Sequence, residues 1–164
     1  MLIVARKLRE LSFGKLMEVY REGNLENGRI HYTDEPEDRQ IALAEQDFYQ
    51  YLQQVFFRTE GAAYFIWEEH GKYVSALRLE PYQDGLLLEA LETAPACRRH
   101  GYATALVRAV LEVYGEKKIY SHVSKRNAAS LATHEKCGFH RVADHAVYAD
   151  GSYMANHVTF CSKV

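Results

Sequence analysis

Apolar residues recur first at helical spacing and then, beyond about residue 60, at strand spacing. Met1 to Leu8 reads as a first strand. Ser12 is placed to cap a helix whose stripe is Phe13, Leu16, Met17 and Tyr20. Gly23 and the stretch Gly28 to Pro36 read as breaks in that helix. A longer helix follows from about Glu37 to Phe57, with Ile41, Ala44, Phe48, Leu52 and Val55 on its inner side. Then the period changes. Ala62 to Glu68, Tyr73 to Glu80 and Leu86 to Thr93 are short runs of strand formers, separated by Gly71 and by Gln83-Asp84-Gly85. They predict an antiparallel meander.

The third run leads through Pro95 and a basic turn into a helix from about Ala103 to Tyr114. Its apolar side is Leu106, Val107, Val110, Leu111 and Tyr114. Lys118 to Val123 is a further strand, so strand–helix–strand is complete and the two strands are expected to be parallel. Asn127 to Lys136 reads as a short helix closed by Gly138. Phe139 to Val147 and Tyr153 to Phe160 predict a closing hairpin across Asp150-Gly151. The sum is an α+β chain with a mixed central sheet. Its 164 residues suit one domain with a real core, spanning 1–164.

Composition narrows the partners. Hydrophobic content of 48% and charged content of 26% are those of an ordinary globular chain. The net charge of −2 gives no electrostatic case for binding nucleic acid. No apolar run approaches the roughly 18 residues that span a bilayer. Met1-Leu2-Ile3-Val4 runs directly into charge and lacks a secretory layout. Three cysteines, Cys97, Cys137 and Cys161, are too few and too odd for a disulfide framework and suit a reducing cytoplasm.

The chemistry concentrates in the turn "ACRRHGYATALVRAV". Arg98, Arg99 and His100 stand before Gly101, where a helix begins. A helix start already carries partial positive charge and unpaired N–H groups. More cations there cost stability unless an anion completes the site. A glycine between strand and helix lets backbone approach a ligand closely. Those amides then suit a pyrophosphate, with Arg98 and Arg99 adding charge-assisted contacts. Neither the G-x-x-x-x-G-K-[ST] nor the G-x-G-x-x-G spacing is present. Taken alone, the turn reads equally well as a solvated basic loop.

A second segment, "NAASLATHEKCGFHRV", follows the next strand. With Arg98-x-x-Gly101-x-Ala103 it resembles the GCN5-related N-acetyltransferase (GNAT) superfamily. The first segment matches that family's acetyl-CoA loop, [RQ]-x-x-G-x-[GA]. In the second, Asn127, Ser130, Gly138 and Phe139 fall at the family's offsets. The resemblance covers about residues 86 to 142. It implies a mostly antiparallel sheet with a V-shaped splay between two parallel strands, flanked by helices. It implies acetyl transfer from acetyl-CoA to an amine, small-molecule or peptide, without a metal. Leu91, Glu92 and Thr93 would bond the pantetheine arm. The backbone from Arg99 to Thr104, through His100, Gly101, Tyr102 and Ala103, would hold the pyrophosphate. Asn127 and Ser130 would line the far side.

The reaction needs a base, an oxyanion donor and a proton for the departing sulfur. The resemblance places a tyrosine acid seven residues after the asparagine, and here that position is His134. Histidine titrates near neutrality and suits the task; a surface or packing role is the alternative. Glu92 and Glu89 on the strand beside the thioester are the base candidates, with Glu80 third. Unbroken alternation puts Glu89 and Glu92 on opposite faces, and a bulge would change that. Tyr49, Tyr51, Tyr64, Tyr73, Tyr148 and Tyr153 are candidates for an acceptor wall or for core. The acidic run Asp34, Glu35, Glu37, Asp38 and Glu45 reads first as a solvated face. His134, Cys137 and His140 have loose metal spacing, but Gly138 and Phe139 interrupt it. The alternative to catalysis is a silent acyl-CoA sensor or interaction domain. The resemblance also permits a homodimer.

Overall fold

The computed structural model describes residues 1–163. Seven strands form one sheet in the order β1-β2-β3-β4-β5-β9-β6. They are β1 (Leu2–Ala5), β2 (Ala63–Glu69), β3 (Lys72–Tyr82), β4 (Gly85–Thr93), β5 (Ile119–Ser124), β6 (His140–Ala143) and β9 (His157–Cys161). All neighbours are antiparallel except β4 and β5. The helices are α1 (Phe13–Val19), α2 (Arg21–His31), α3 (Glu37–Gln54), α4 (Tyr102–Val113) and α5 (Ala128–Lys136).

Alternation along the central strands sends side chains to two cores. From β2 and β3, Ala63, Phe65, Leu77 and Leu79 pack under α4 with Leu106, Val107 and Val110. Tyr64, Ile66, Tyr73 and Ala76 pack the other way, on Leu16, Tyr20, Leu52 and Phe56 from the α1–α3 side. Each large side chain so buried contributes about 1.5–3 kcal/mol. The middle of the sheet is therefore a rigid platform, and chemistry is left to the places where its regularity fails.

Two expectations are corrected. Gly23 and Gly28 do not break a helix, because α2 runs through both; the break falls later in the expected stretch, between His31 and the start of α3 at Glu37. Gly28 is a contact point instead: a Cβ there would lie 2.5 Å from the Gln40 carbonyl oxygen, so its absence lets α2 close onto α3. The closing hairpin is also divided. β6 pairs with β9, while β7 (Ala146–Val147) and β8 (Tyr153–Met154) form a separate two-stranded ribbon. The inner stripe of α3 ends at Leu52, with Val55 exposed.

The parallel pair is short. Leu86, Leu87 and Leu88 stand beside Ile119, Tyr120 and Ser121, and there the ladder stops. β4 continues to Thr93 and β5 to Ser124 without pairing to each other. The strands open as a V with its apex at Leu88 and Ser121.

Candidate functional site

The wide end of the V leads into the basic turn. Arg99 (φ 64°) and Gly101 (φ 78°) both take the left-handed conformation. Gly101 is the N-cap residue of α4, and no side chain caps that helix. The first bond into the helix runs from the Ala105 amide to the Gly101 carbonyl, 2.9 Å. Among the described residues nothing accepts a hydrogen bond from the amides of Arg99 to Thr104. Six consecutive donors at a positive helix end make an anion cradle.

The cradle and the open strand share one cleft of about 600 Å³. Leu91, Glu92, Thr93, Arg98, Arg99, Gly101, Tyr102, Ala103, Thr104, Asn127 and Ser130 all line it, as do Cys97, Ala129 and Thr133. His100 does not; its ring turns back to the Cys97 carbonyl, 3.1 Å from Nδ1, and stacks on Tyr102. Arg98 borders the cleft, but its guanidinium donates to Glu22 at 2.7 Å and lies 3.7 Å from Glu92. Asn127 caps α5 by accepting from the Ser130 amide at 3.1 Å.

A bulge decides where the carboxylates point. Arg78 pairs with Glu89 and Ala76 with Glu92, so β3 advances two residues while β4 advances three. Ala90 absorbs the extra residue at φ 51°. Glu89 and Glu92 consequently share one face, contrary to the unbroken alternation, and Arg78 and Glu80 are on it too. Burial and the neighbouring Glu80 carboxylate push Glu89 up to about 7, against the pull of Arg78. Burial also raises Glu92, against the pull of Arg98.

The Ala90 carbonyl is held by a chain of phenols that the sequence did not reveal. Tyr20 donates to it at 2.7 Å, and Tyr64 donates to Tyr20 at 2.7 Å. Burial pushes both phenols well up, so they stay neutral donors. Tyr20→Phe leaves the carbonyl and the Tyr64 hydroxyl without partners, at a cost of roughly 1–3 kcal/mol. Urea unfolding of the variant is expected to show that loss.

A second pocket, of about 500 Å³, lies on this face between α2, α3 and β4. Tyr20, Asn24, Asp47, Phe48, Tyr51 and Arg78 are among its walls. Among the described residues Glu92 alone lines both this pocket and the cleft. A smaller recess of about 330 Å³ adjoins it at Ala90 and Arg78, and includes Glu89, His122 and Tyr148. Of the six tyrosines singled out in the sequence, Tyr51 and Tyr148 face these cavities.

His134 is elsewhere. It is 1% exposed, between Phe139 and Phe160, and lines neither the cleft nor the pockets. Nδ1 lies 2.7 Å from the Ser130 carbonyl and Nε2 2.8 Å from the Ser121 hydroxyl. A direct proton donor to the sulfur has to face the cleft, and this imidazole instead ties α5 to β5 at the apex of the V. His134→Ala opens a cavity and removes both ring hydrogen bonds, costing about 2–4 kcal/mol. Burial holds its pKa below the ordinary 6.5. The unfolded chain thus binds the proton more readily, and this stability is lost as pH falls from about 6.5 toward the folded value. Urea unfolding at about pH 7.5 and about pH 5.5 is expected to show that slope reduced in the variant. Among the described residues no group of three His, Cys, Asp or Glu side chains could hold a metal ion.

The opened parallel pair and the row of free amides at the start of α4 thus line one continuous cleft. The chain belongs to the acetyltransferase (GNAT) family, whose model matches residues 25–139. No curated protein matches the sequence. Among solved structures it is similar to the PaiA N-acetyltransferase of Thermoplasma acidophilum, solved in complex with coenzyme A. That likeness has 11% identity and a TM-score of 0.64, covering 100% of this chain and 99% of that one. An N-acetyltransferase of Staphylococcus aureus gives 14% and 0.60, covering 98% and 97%. A GNAT-family acetyltransferase of Bacillus cereus gives 18% and 0.59, covering 98% and 96%. At these identities the likeness establishes the fold.

Proposed function

We propose that residues 1–164 form one acetyl-CoA-dependent N-acetyltransferase domain acting on an amine held in the 500 Å³ pocket. The observation that carries this reading is the place of Glu92, the one residue common to that pocket and the cleft. Two binding spaces meet at a carboxylate, on a strand whose edge toward β5 is unpaired beyond Leu88.

Acetyl-CoA supplies an acetyl group activated as a thioester. The amides from Arg99 to Thr104 would hold its diphosphate, Leu91 to Thr93 would bond its arm, and Asn127 and Ser130 would close the far wall. The attacking amine must be neutral, so a group with a pKa of about 10 must lose a proton. Glu92 takes that proton, directly or through one water. Burial raises its basicity, and Arg98 keeps it ionised. Nitrogen bonds to the acetyl carbon, the carbon–sulfur bond breaks, and the sulfur leaves as thiolate to be protonated from solvent. A backbone N–H of the bulged segment meets the negative charge on the carbonyl oxygen. Glu89 is the second base candidate, favoured by a pKa pushed up to about 7. His134 acts as a positioning residue under the cleft.

All three cysteines are free, which suits a reducing compartment such as the cytoplasm. No helix among the described residues is long and apolar enough to cross a membrane. The test is release of coenzyme A thiol from acetyl-CoA over a panel of amines. Turnover with some of them is expected. Tight coenzyme binding without transfer to any amine would point to the silent sensor, and no coenzyme binding at all would remove both readings.

A further inference from the structure

The most unusual charge in the molecule is Arg78. It lies mid-strand in β3, between β2 and β4, with its side chain 17% exposed. Its guanidinium packs over the rings of Tyr51, 4.9 Å from the centroid, and Phe56, 5.6 Å. Among the described residues it makes no hydrogen bond to protein. Nε is buried without a partner, the only such side-chain nitrogen or oxygen among the described residues. The terminal nitrogens, which also lack protein partners, therefore keep access to the cavities that Arg78 lines on both sides.

The nearest anion does not satisfy it. Glu89 Oε2 is 3.9 Å from Nε, beyond hydrogen-bond reach. Glu89 also shares its surroundings with Glu80, and a proton held there near neutrality reduces the negative charge facing the arginine. A desolvated guanidinium with free donors is costly unless a planar anion docks on it, and a carboxylate fits its fork in two places.

We propose that Arg78 recognises a carboxylate on the acceptor, so that the substrate is an amine carrying a carboxylate a few bonds away, an amino acid in the broad sense. This rests on the transferase reading of the same site. The opposite charges are already set out for such a zwitterion. Arg78, Glu89 and Glu92 share one face of the sheet, Arg78 directly across from Glu89 and Glu92 past the bulge. The acceptor's carboxylate meets the guanidinium, and its ammonium end meets Glu92, where the pocket joins the cleft. The rings of Phe48, Tyr20 and Tyr51 leave room in the pocket for an apolar side chain.

The test compares L-phenylalanine, β-alanine and 4-aminobutanoate, each with its carboxamide, on the coenzyme A complex. Binding is read by calorimetry and transfer by thiol release. At least one acid is expected to bind roughly 10- to 100-fold more tightly than its amide, with the same preference in kcat/KM. In Arg78→Gln the acid-to-amide ratio falls toward one, and Arg78→Lys restores part of it. Because the wild-type ratio needs no variant, misfolding of Arg78→Gln does not rescue the idea. Equal binding of acids and amides, or no binding of any acid, overturns it. Carboxylate preference in binding without transfer keeps Arg78 as a carboxylate site but removes the transferase reading and with it the acceptor; transfer without preference keeps the transferase reading and overturns the role of Arg78.

Discussion

Ala103→Glu weakens coenzyme A binding by about 100-fold or more while leaving the fold as stable as before, or more so. Ala103 is the second residue of α4, and no acidic side chain stands in that first turn. A carboxylate there complements the helix dipole, worth about 0.3–1 kcal/mol to the helix. The same carboxylate enters the cleft beside the free amides of Tyr102 to Thr104, where a diphosphate would rest. Two like charges about 4 Å apart repel by about 4 kcal/mol at an effective dielectric of about 20. Stability and affinity thus move in opposite directions, which few substitutions achieve. Ala103→Gln is the control for bulk, and calorimetry with coenzyme A is the measurement. A similar loss in the Gln and Glu variants would make the effect steric and would remove the electrostatic cradle.

The cradle was legible in the sequence because its signals are local. A strand, a proline, a basic turn, one glycine and an amphipathic helix follow within about thirty residues, and each has its own chemical cause. The change of period after residue 60 likewise announced the meander, and it is there as β2, β3 and β4. What failed was non-local. Gly28 looks the same in sequence whether it ends a helix or lets two helices touch, and only Gln40 distinguishes the cases. The segment 139–160 has the composition of a hairpin, but β9 had to find β5 across the sheet before its partner could be known. The acceptor side was the least legible. Its arrangement follows from the bulge at Ala90, a left-handed alanine with no sequence sign, and from Tyr20, seventy residues away, which holds the bulge carbonyl. Arg78 had one faint signal, a charge in the apolar run "YVSALRL". His134 sits where the family resemblance implied an acid, yet position along a helix does not reveal whether a side chain turns toward a cleft or into the core.

Glu92→Gln lowers kcat/KM for the amine by about 10²- to 10⁴-fold at neutral pH. Glutamine keeps the volume and the hydrogen-bonding shape and loses the capacity to accept the ammonium proton. The residue stands where the cleft and the 500 Å³ pocket meet. Burial raises its folded pKa above the ordinary carboxylate value, with Arg98 opposing. Activity should accordingly rise with pH as this group deprotonates, along an acid limb lying above the usual carboxylate range. In Glu92→Gln that limb is absent, because no group is left to titrate in that role. Glu89→Gln separates the two carboxylates, since Glu89 is pushed up to about 7 and produces its own inflection if it is the base. A limb near 7 that survives in Glu92→Gln and vanishes in Glu89→Gln transfers the proton to Glu89. Near wild-type turnover in both variants means that neither carboxylate removes the proton, and Glu80→Gln then separates the third carboxylate of this face from an amine that enters already neutral.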